Sequence, residues 1–166
     1  MRTPQWVKKL GGHAGELYVA AELSKRGIPN SLLPENFSDD DIIAGSKDGT
    51  SICFVQVKAC HPDRASSFIL RETDEKWVDE PENHFVVFVW LGSPRRNESP
   101  RYWITSKRVA GEACRAHPAH GTGNWERRFS LGDAPGKARK GPILCPEWEN
   151  NWSIFAPYVD SDGGAA

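Results

Sequence analysis

Residues 51–59 read Ser51-Ile52-Cys53-Phe54-Val55-Gln56-Val57-Lys58-Ala59. Successive side chains of a β-strand point to opposite faces, so Val55 and Val57 share one face while Gln56 and Lys58 share the other. An amide and a lysine side by side on an otherwise core-like strand need polar company. The preceding Lys47-Asp48-Gly49-Thr50 is a turn built on the Asp-Gly dipeptide favoured at hairpin tips. Ile42-Ile43-Ala44 before it is then the partner strand. The hairpin brings Asp41, at the outer end of that strand, close to Gln56 and Lys58.

Outward from the hairpin, Ala14, Leu17, Ala20, Ala21 and Leu23 recur at helical spacing and predict a helix from Gly12 to Arg26, stopped by Gly27 and Pro29. Glu16 shares a face with Val19, Ala20 and Leu23, which puts a carboxylate at the foot of an apolar stripe. Taken alone, it could equally serve the helix dipole as a first-turn acid. Downstream, Ser67 to Leu70 reads as a short strand and Glu72 to Val78 as a helical turn. His84 to Leu91 is the most apolar run and predicts a central strand buried on both faces. Arg101 to Thr105 is its antiparallel or edge neighbour, and Ser106 caps a short helix reaching Ala116. Residues 117–147 are rich in Gly and Pro and read as loop, and Trp148 to Tyr158 closes the fold. With no repeat and no long linker, residues 1–159 are expected to form one domain and residues 160–166 a frayed tail.

The chain has 166 residues and a net charge of −1, enough to bury a core without staples and unlike a protein that simply coats nucleic acid. No apolar run approaches the roughly 20 residues of a membrane helix, and the N-terminus lacks a signal-peptide pattern. Four cysteines without a CxxC pair fit reduced thiols and a cytoplasmic setting. Cys114, His117, His120 and Cys145 match no common zinc spacing, so buried thiols and surface histidines are the simpler expectation. The charge is unevenly spread. Residues 1–94 carry 10 Lys/Arg against 14 Asp/Glu, residues 95–140 carry 11 against 4, and residues 141–166 carry 0 against 4. A block of +7 inside a neutral chain suggests a phosphate-contacting surface. Its candidates are Arg95, Arg96, Arg108, Arg127, Arg128, Lys137, Arg139 and Lys140, with Arg101, Lys107 and Arg115 in the same block. Trp103, between Tyr102 and Ile104, is expected in the core. Trp125, in a Gly-rich loop, is better placed to meet a base or a partner.

The candidate chemistry rests on Glu16, Asp41, Gln56 and Lys58. Two carboxylates and an amide oxygen are hard ligands suited to Mg²⁺, or Mn²⁺ in its place, and leave water positions open for substrate phosphate. The lysine can orient an attacking water and offset charge developing on the phosphate. Asp39 and Asp40 compete with Asp41 as the ligand; Asp41 is preferred because it adjoins the anchoring Ile42-Ile43. As bland alternatives, Lys58 could protect a strand edge and Asp41 could be a turn acid. His13 and His61, beside the site in sequence, read as surface histidines.

These residues resemble the PD-(D/E)XK nuclease superfamily, the restriction-endonuclease-like fold. The resemblance runs from Gly12-His13-Ala14-Gly15-Glu16 through Asp41-Ile42-Ile43 to Phe54-Val55-Gln56-Val57-Lys58-Ala59, nearest to small bacterial members with a QxK variant. It implies an α/β fold with a mixed four- to five-stranded sheet flanked by helices. It also implies a metal-dependent DNA endonuclease of the Holliday-junction-resolvase or restriction/homing-endonuclease kind. Asp41 would ligate the metal with Gln56 in the usual acidic position, Lys58 would be the catalytic lysine and Glu16 the supporting helix carboxylate. DNA is the implied partner, and a homodimer or higher homo-oligomer the common assembly. Gln56 departs from the pattern: a neutral group holds Mg²⁺ less tightly than glutamate. The rival expectation is therefore a catalytically inactive DNA-binding or protein-interaction module.

Overall fold

The first helix begins at Gln5 rather than Gly12. In the computed structural model, α1 spans Gln5–Lys25 directly after Pro4. Its first turns carry Trp6 and Leu10 on an exposed surface, so no core-facing stripe marks them. Residues 4–35, 38–61, 67–70, 72–116, 127–130 and 144–159 are described.

The hairpin forms as expected: β2 (Ile42–Gly45) pairs antiparallel with β3 (Ile52–Cys60), Ile42 opposite Val55. Asp48 closes the turn by accepting bonds from Ser46 and Thr50, and Gly49 takes the positive φ of 73° that the turn requires. Two strands escape the sequence reading. The three-residue β1 (Asn30–Leu32) pairs with β2, and β7 (Arg127–Ser130) pairs antiparallel with β4 (Ser67–Leu70) in a separate two-stranded sheet. β7 lies inside the segment expected to be loop; its partner, rather than its own composition, makes it a strand.

The main sheet has the order β1-β2-β3-β5-β6, with β5 spanning His84–Trp90 and β6 Arg101–Ser106. β3 and β5 run parallel and every other neighbouring pair in it is antiparallel, so this is a mixed five-stranded sheet flanked by helices. A parallel pair needs a crossover. This one carries β4 and a 3-10 segment, Glu72–Asp79. β5 is buried through Phe85–Val89 on both faces, as its unbroken apolar run predicts. α2 (Lys107–Arg115) follows β6, with the Ser106 hydroxyl accepting the Val109 N–H as its N-cap.

Two cores lie on opposite faces of the sheet. On one, Val19 and Leu23 of α1 pack with Val55, Val57, Phe85, Val87 and the closing Phe155. On the other, Val86, Phe88 and Trp103 pack with Trp77, Phe68, Phe129, Ala110 and Trp148. Gln56 and Lys58 project toward this second face by strand alternation.

α1 sits close on β3 because Gly15 has no side chain. A Cβ there would fall 2.6 Å from the Ala59 Cβ and 3.3 Å from the Val57 Cγ1. We expect Gly15→Val to lower stability by about 2 kcal/mol, through overpacking and a β-branched side chain in a helix. Thermal unfolding would check this. An unchanged Tm would mean that the helix is free to lift away, and with it Glu16.

Candidate active site

β2 begins at Ile42, opposite Val55, while β3 continues past that point to Cys60. The backbone of Asp41 still follows the ladder for one more residue. Its N–H donates to the Val55 carbonyl at 3.0 Å, and its own carbonyl accepts from the Leu33 N–H at 2.8 Å. Beyond that point no described strand pairs with β3 on the edge that β2 occupies, and the Asp41 carboxylate takes its place there. Its Oδ2 accepts the Val57 N–H at 2.6 Å and the Gln56 Nε2 at 2.7 Å. Asp41 is thus fixed at the open end of a strand, beside the polar face of the next.

The other two members act on the same carboxylate through their charges. Burial pushes the Asp41 carboxyl up from 3.8 to about 6. The Val57 N–H opposes that rise, the Glu16 carboxylate adds to it, the Lys58 ammonium opposes it and the Asp40 carboxylate adds to it. Glu16 is presented by α1 next to the close Gly15 contact, with the His13 Nδ1 3.4 Å from its Oε2. His13 is exposed, as expected, yet touches a site residue. The Lys58 ammonium lies over the Trp77 ring, 5.4 Å from its centroid. Trp77 is buried in the crossover segment Glu72–Asp79 and was not marked by the sequence reading. A large aromatic in a short segment that is otherwise mostly charged was the available signal.

Gln56 thus bonds Asp41 directly, and the charges of Glu16 and Lys58 act on the same carboxylate. The donor set is two carboxylates, one pushed toward neutrality by burial and by the other, and an amide whose nitrogen already faces Asp41. Hard oxygens of this number fit Mg²⁺, which is commonly held by one or two carboxylates and retains its waters. Among the described residues no three His, Cys, Asp or Glu side chains group as a metal site.

Asp41 makes the site unfavourable for stability when ionised. Its carboxyl ionises near 3.8 unperturbed and at about 6 in the fold, so the unfolded chain loses its proton first as pH rises through that window. The fold is penalised above pH 6 and unpenalised below about pH 4. For a carboxyl that is only partly screened from water, the penalty is about 2 kcal/mol. Asp41→Asn is expected to raise Tm at pH 7.5 by roughly 3–6 °C, with the difference closing near pH 4. Thermal melts of both proteins across that range would check the sign.

Among the described residues of the basic block, several cations are paired. Arg96 Nε donates to the Glu98 Oε1 at 2.7 Å, Arg101 pairs with Glu149 and lies 4.8 Å over Trp103, and Arg115 reaches Asp79 at 3.7 Å. Arg108 donates to the Glu80 carbonyl at 3.3 Å. Arg95 is exposed. Arg127 and Arg128 stand in β7 opposite Leu70 and Ile69. Lys107 is the clear departure: it is fully buried, with Nζ 2.8 Å from the Asp40 Oδ1, so it cannot meet a phosphate at the surface. Lys137, Arg139, Lys140, His117, His120 and Trp125 lie outside the described residues, as do positions 160–166. Trp103 is buried, as expected. Cys53, Cys60 and Cys114 are buried, and burial pushes the Cys53 thiol up to about 12. No helix among the described residues is long and apolar enough to cross a membrane.

No protein-family model matches the chain, and no curated protein matches it in sequence. Among solved structures it is similar to a bacterial homing endonuclease, I-Ssp6803I, with a TM-score of 0.51 and 12% sequence identity. The alignment covers 89% of this chain and 91% of that one. At this identity the likeness is one of fold, over nearly the whole of both chains.

Proposed function

We propose that the protein is a metal-dependent DNA endonuclease with a PD-(D/E)XK-type active site in its QxK form. The observation that carries this reading is the Asp41 carboxylate. It is held by Gln56 and the Val57 amide at the open end of β2, and it feels both Glu16 and Lys58. Gln56 bonds it and the charges of Glu16 and Lys58 act on it, and these residue types, Gln56 apart, are those such a site uses. The likeness in fold to a homing endonuclease supports the same class.

Glu16 and Asp41 would hold Mg²⁺, with the Gln56 side-chain oxygen as a neutral third donor and Mn²⁺ as a substitute. When bound, the metal supplies Lewis-acid polarisation of the phosphate and a water acidic enough to act as nucleophile at neutral pH. The chain's own residues do the rest. Gln56 and the Val57 N–H fix the Asp41 carboxylate so that it need not reorganise during reaction. Lys58, lying over the Trp77 ring, presents its ammonium to the attacking water and to the phosphate oxygen on which charge builds. Arg95 and the arginines of β7 are candidates for backbone phosphate contacts, which would make binding salt-dependent.

The test is incubation of purified protein with supercoiled plasmid, linear duplex, single strands and a four-way junction, with Mg²⁺ or Mn²⁺, beside Asp41→Ala and Lys58→Ala. Metal-dependent cutting by the parent protein alone supports the enzyme. The neutral Gln56 favours one rival, a silent nuclease-like module. Salt-sensitive DNA binding without cutting in either metal would establish that rival, and neither activity would leave a protein-interaction role.

A further inference from the structure

Lys107 is the first residue of α2, at the positive end of the helix dipole, where a cation is unfavourable. It is also fully buried, and a buried ammonium is costly unless paired. Its Nζ lies 2.8 Å from the Asp40 Oδ1 and 3.8 Å from the Glu80 Oε1. The His84 Nδ1 faces the other Asp40 oxygen at 3.2 Å and the Glu80 Oε2 at 3.6 Å. Among the described residues, Lys107 Nζ, Asp40 Oδ1 and His84 Nδ1 have no well-aligned hydrogen-bond partner, so the attraction is chiefly Coulombic. Such a pair is poor value as a source of stability, and its position suggests another use.

That position is the shoulder of the candidate site. Asp40 and Asp41 are consecutive, yet their carboxylates take different partners. Asp40 joins Lys107 and His84, the latter stacked on Phe54 at 4.9 Å, on the polar face of β3. Asp41 bonds Val57 and Gln56 at the end of β2. The two lysines share one surface as well: Trp77 has the Lys58 ammonium 5.4 Å and the Lys107 ammonium 5.7 Å from its centroid.

We propose that Lys107 is a positioning residue of the active site, which holds Asp40 away from it and thereby leaves Asp41 as the acid aimed at Val57 and Gln56. The inference rests on the reading of Asp41 as a site residue, but its geometry can be measured without metal or DNA. The Val57 amide is the reporter, because its N–H donates to the Asp41 carboxylate.

The experiment is amide hydrogen exchange by NMR on the metal-free full chain. It compares the parent with the double variant Asp40→Asn/Lys107→Met, which removes both charges and strands neither. We expect Val57 to exchange at least tenfold faster in the variant while the β5 amides Val86–Val89 keep their rates. Mn²⁺ binding, followed by water-proton relaxation, should weaken by a similar factor. An unchanged Val57 rate in the folded variant would overturn the proposal, and so would a uniform acceleration of all amides, which marks a purely structural pair. Should the double variant not fold, Asp40→Asn alone gives the same comparison with the same two outcomes. If the parent binds no Mn²⁺, the endonuclease reading fails, while Val57 still decides the role of Lys107.

Discussion

Lys58→Ala and Asp41→Ala are each expected to reduce metal-dependent DNA cleavage by at least about 10³-fold, roughly 4 kcal/mol of transition-state stabilisation. The two losses have different origins. Lys58 acts on charge that develops during reaction, so its removal lowers kcat with little change in KM. The ammonium lies over a buried indole rather than in open water, which strengthens its field at the reacting phosphate. Asp41 is one of two carboxylates available to the metal, so Asp41→Ala shifts the Mg²⁺ dependence to higher concentration as well as lowering the rate. Lys58→Arg is the informative companion. Its planar, forked cation is not a substitute for a compact ammonium, and activity should stay at least about tenfold below the parent. Single-turnover cleavage at several Mg²⁺ concentrations separates these effects. A Lys58→Ala enzyme within a factor of ten of the parent would remove the lysine from the mechanism.

How far the site was legible follows from which interactions are local. Gln56 and Lys58 stood out because a strand has a period of two, and two polar side chains on one face of an apolar strand break the pattern. Asp41 followed because Asp48-Gly49 specifies a tight hairpin and so a register, with Ile42 opposite Val55. Glu16 was legible from its stripe, but the seating of its helix on β3 depends on Gly15, whose lack of a side chain matters only once α1 meets Ala59. β1 and β7 were hidden for a similar reason: three or four residues become a strand only when a neighbour offers them an edge. Lys107 was misread because a lysine in a basic run is ordinarily solvated. One local clue existed, a cation at the first position of a capped helix, against the dipole. Its partner lies far back in the sequence, and no periodicity connects them. Trp77 was missed likewise, since its value comes from the two lysines that the fold brings to it.

Lys107→Met is expected to cost about 3–5 kcal/mol of folding stability at neutral pH, the largest single-residue loss outside the apolar cores. The side chains are close in volume, so little of this is packing. The cost arises because Asp40, only 7% exposed, is left ionised or must take up a proton, with the Glu80 carboxylate nearby in either case. The double variant Asp40→Asn/Lys107→Met should recover most of the loss, since no uncompensated charge remains buried. Buried pairs replaced together are often near neutral. The coupling between the two sites should therefore be at least about 2–4 kcal/mol, well above the roughly 0.3–0.5 kcal/mol of independent positions. Urea unfolding of the four proteins of the cycle measures it directly. Additive single losses would show that Lys107 and Asp40 do not depend on each other. Strong coupling with recovered stability would mean that the pair is nearly dispensable to the fold, which is the condition under which a displaced Asp41 in the same double variant is a matter of function.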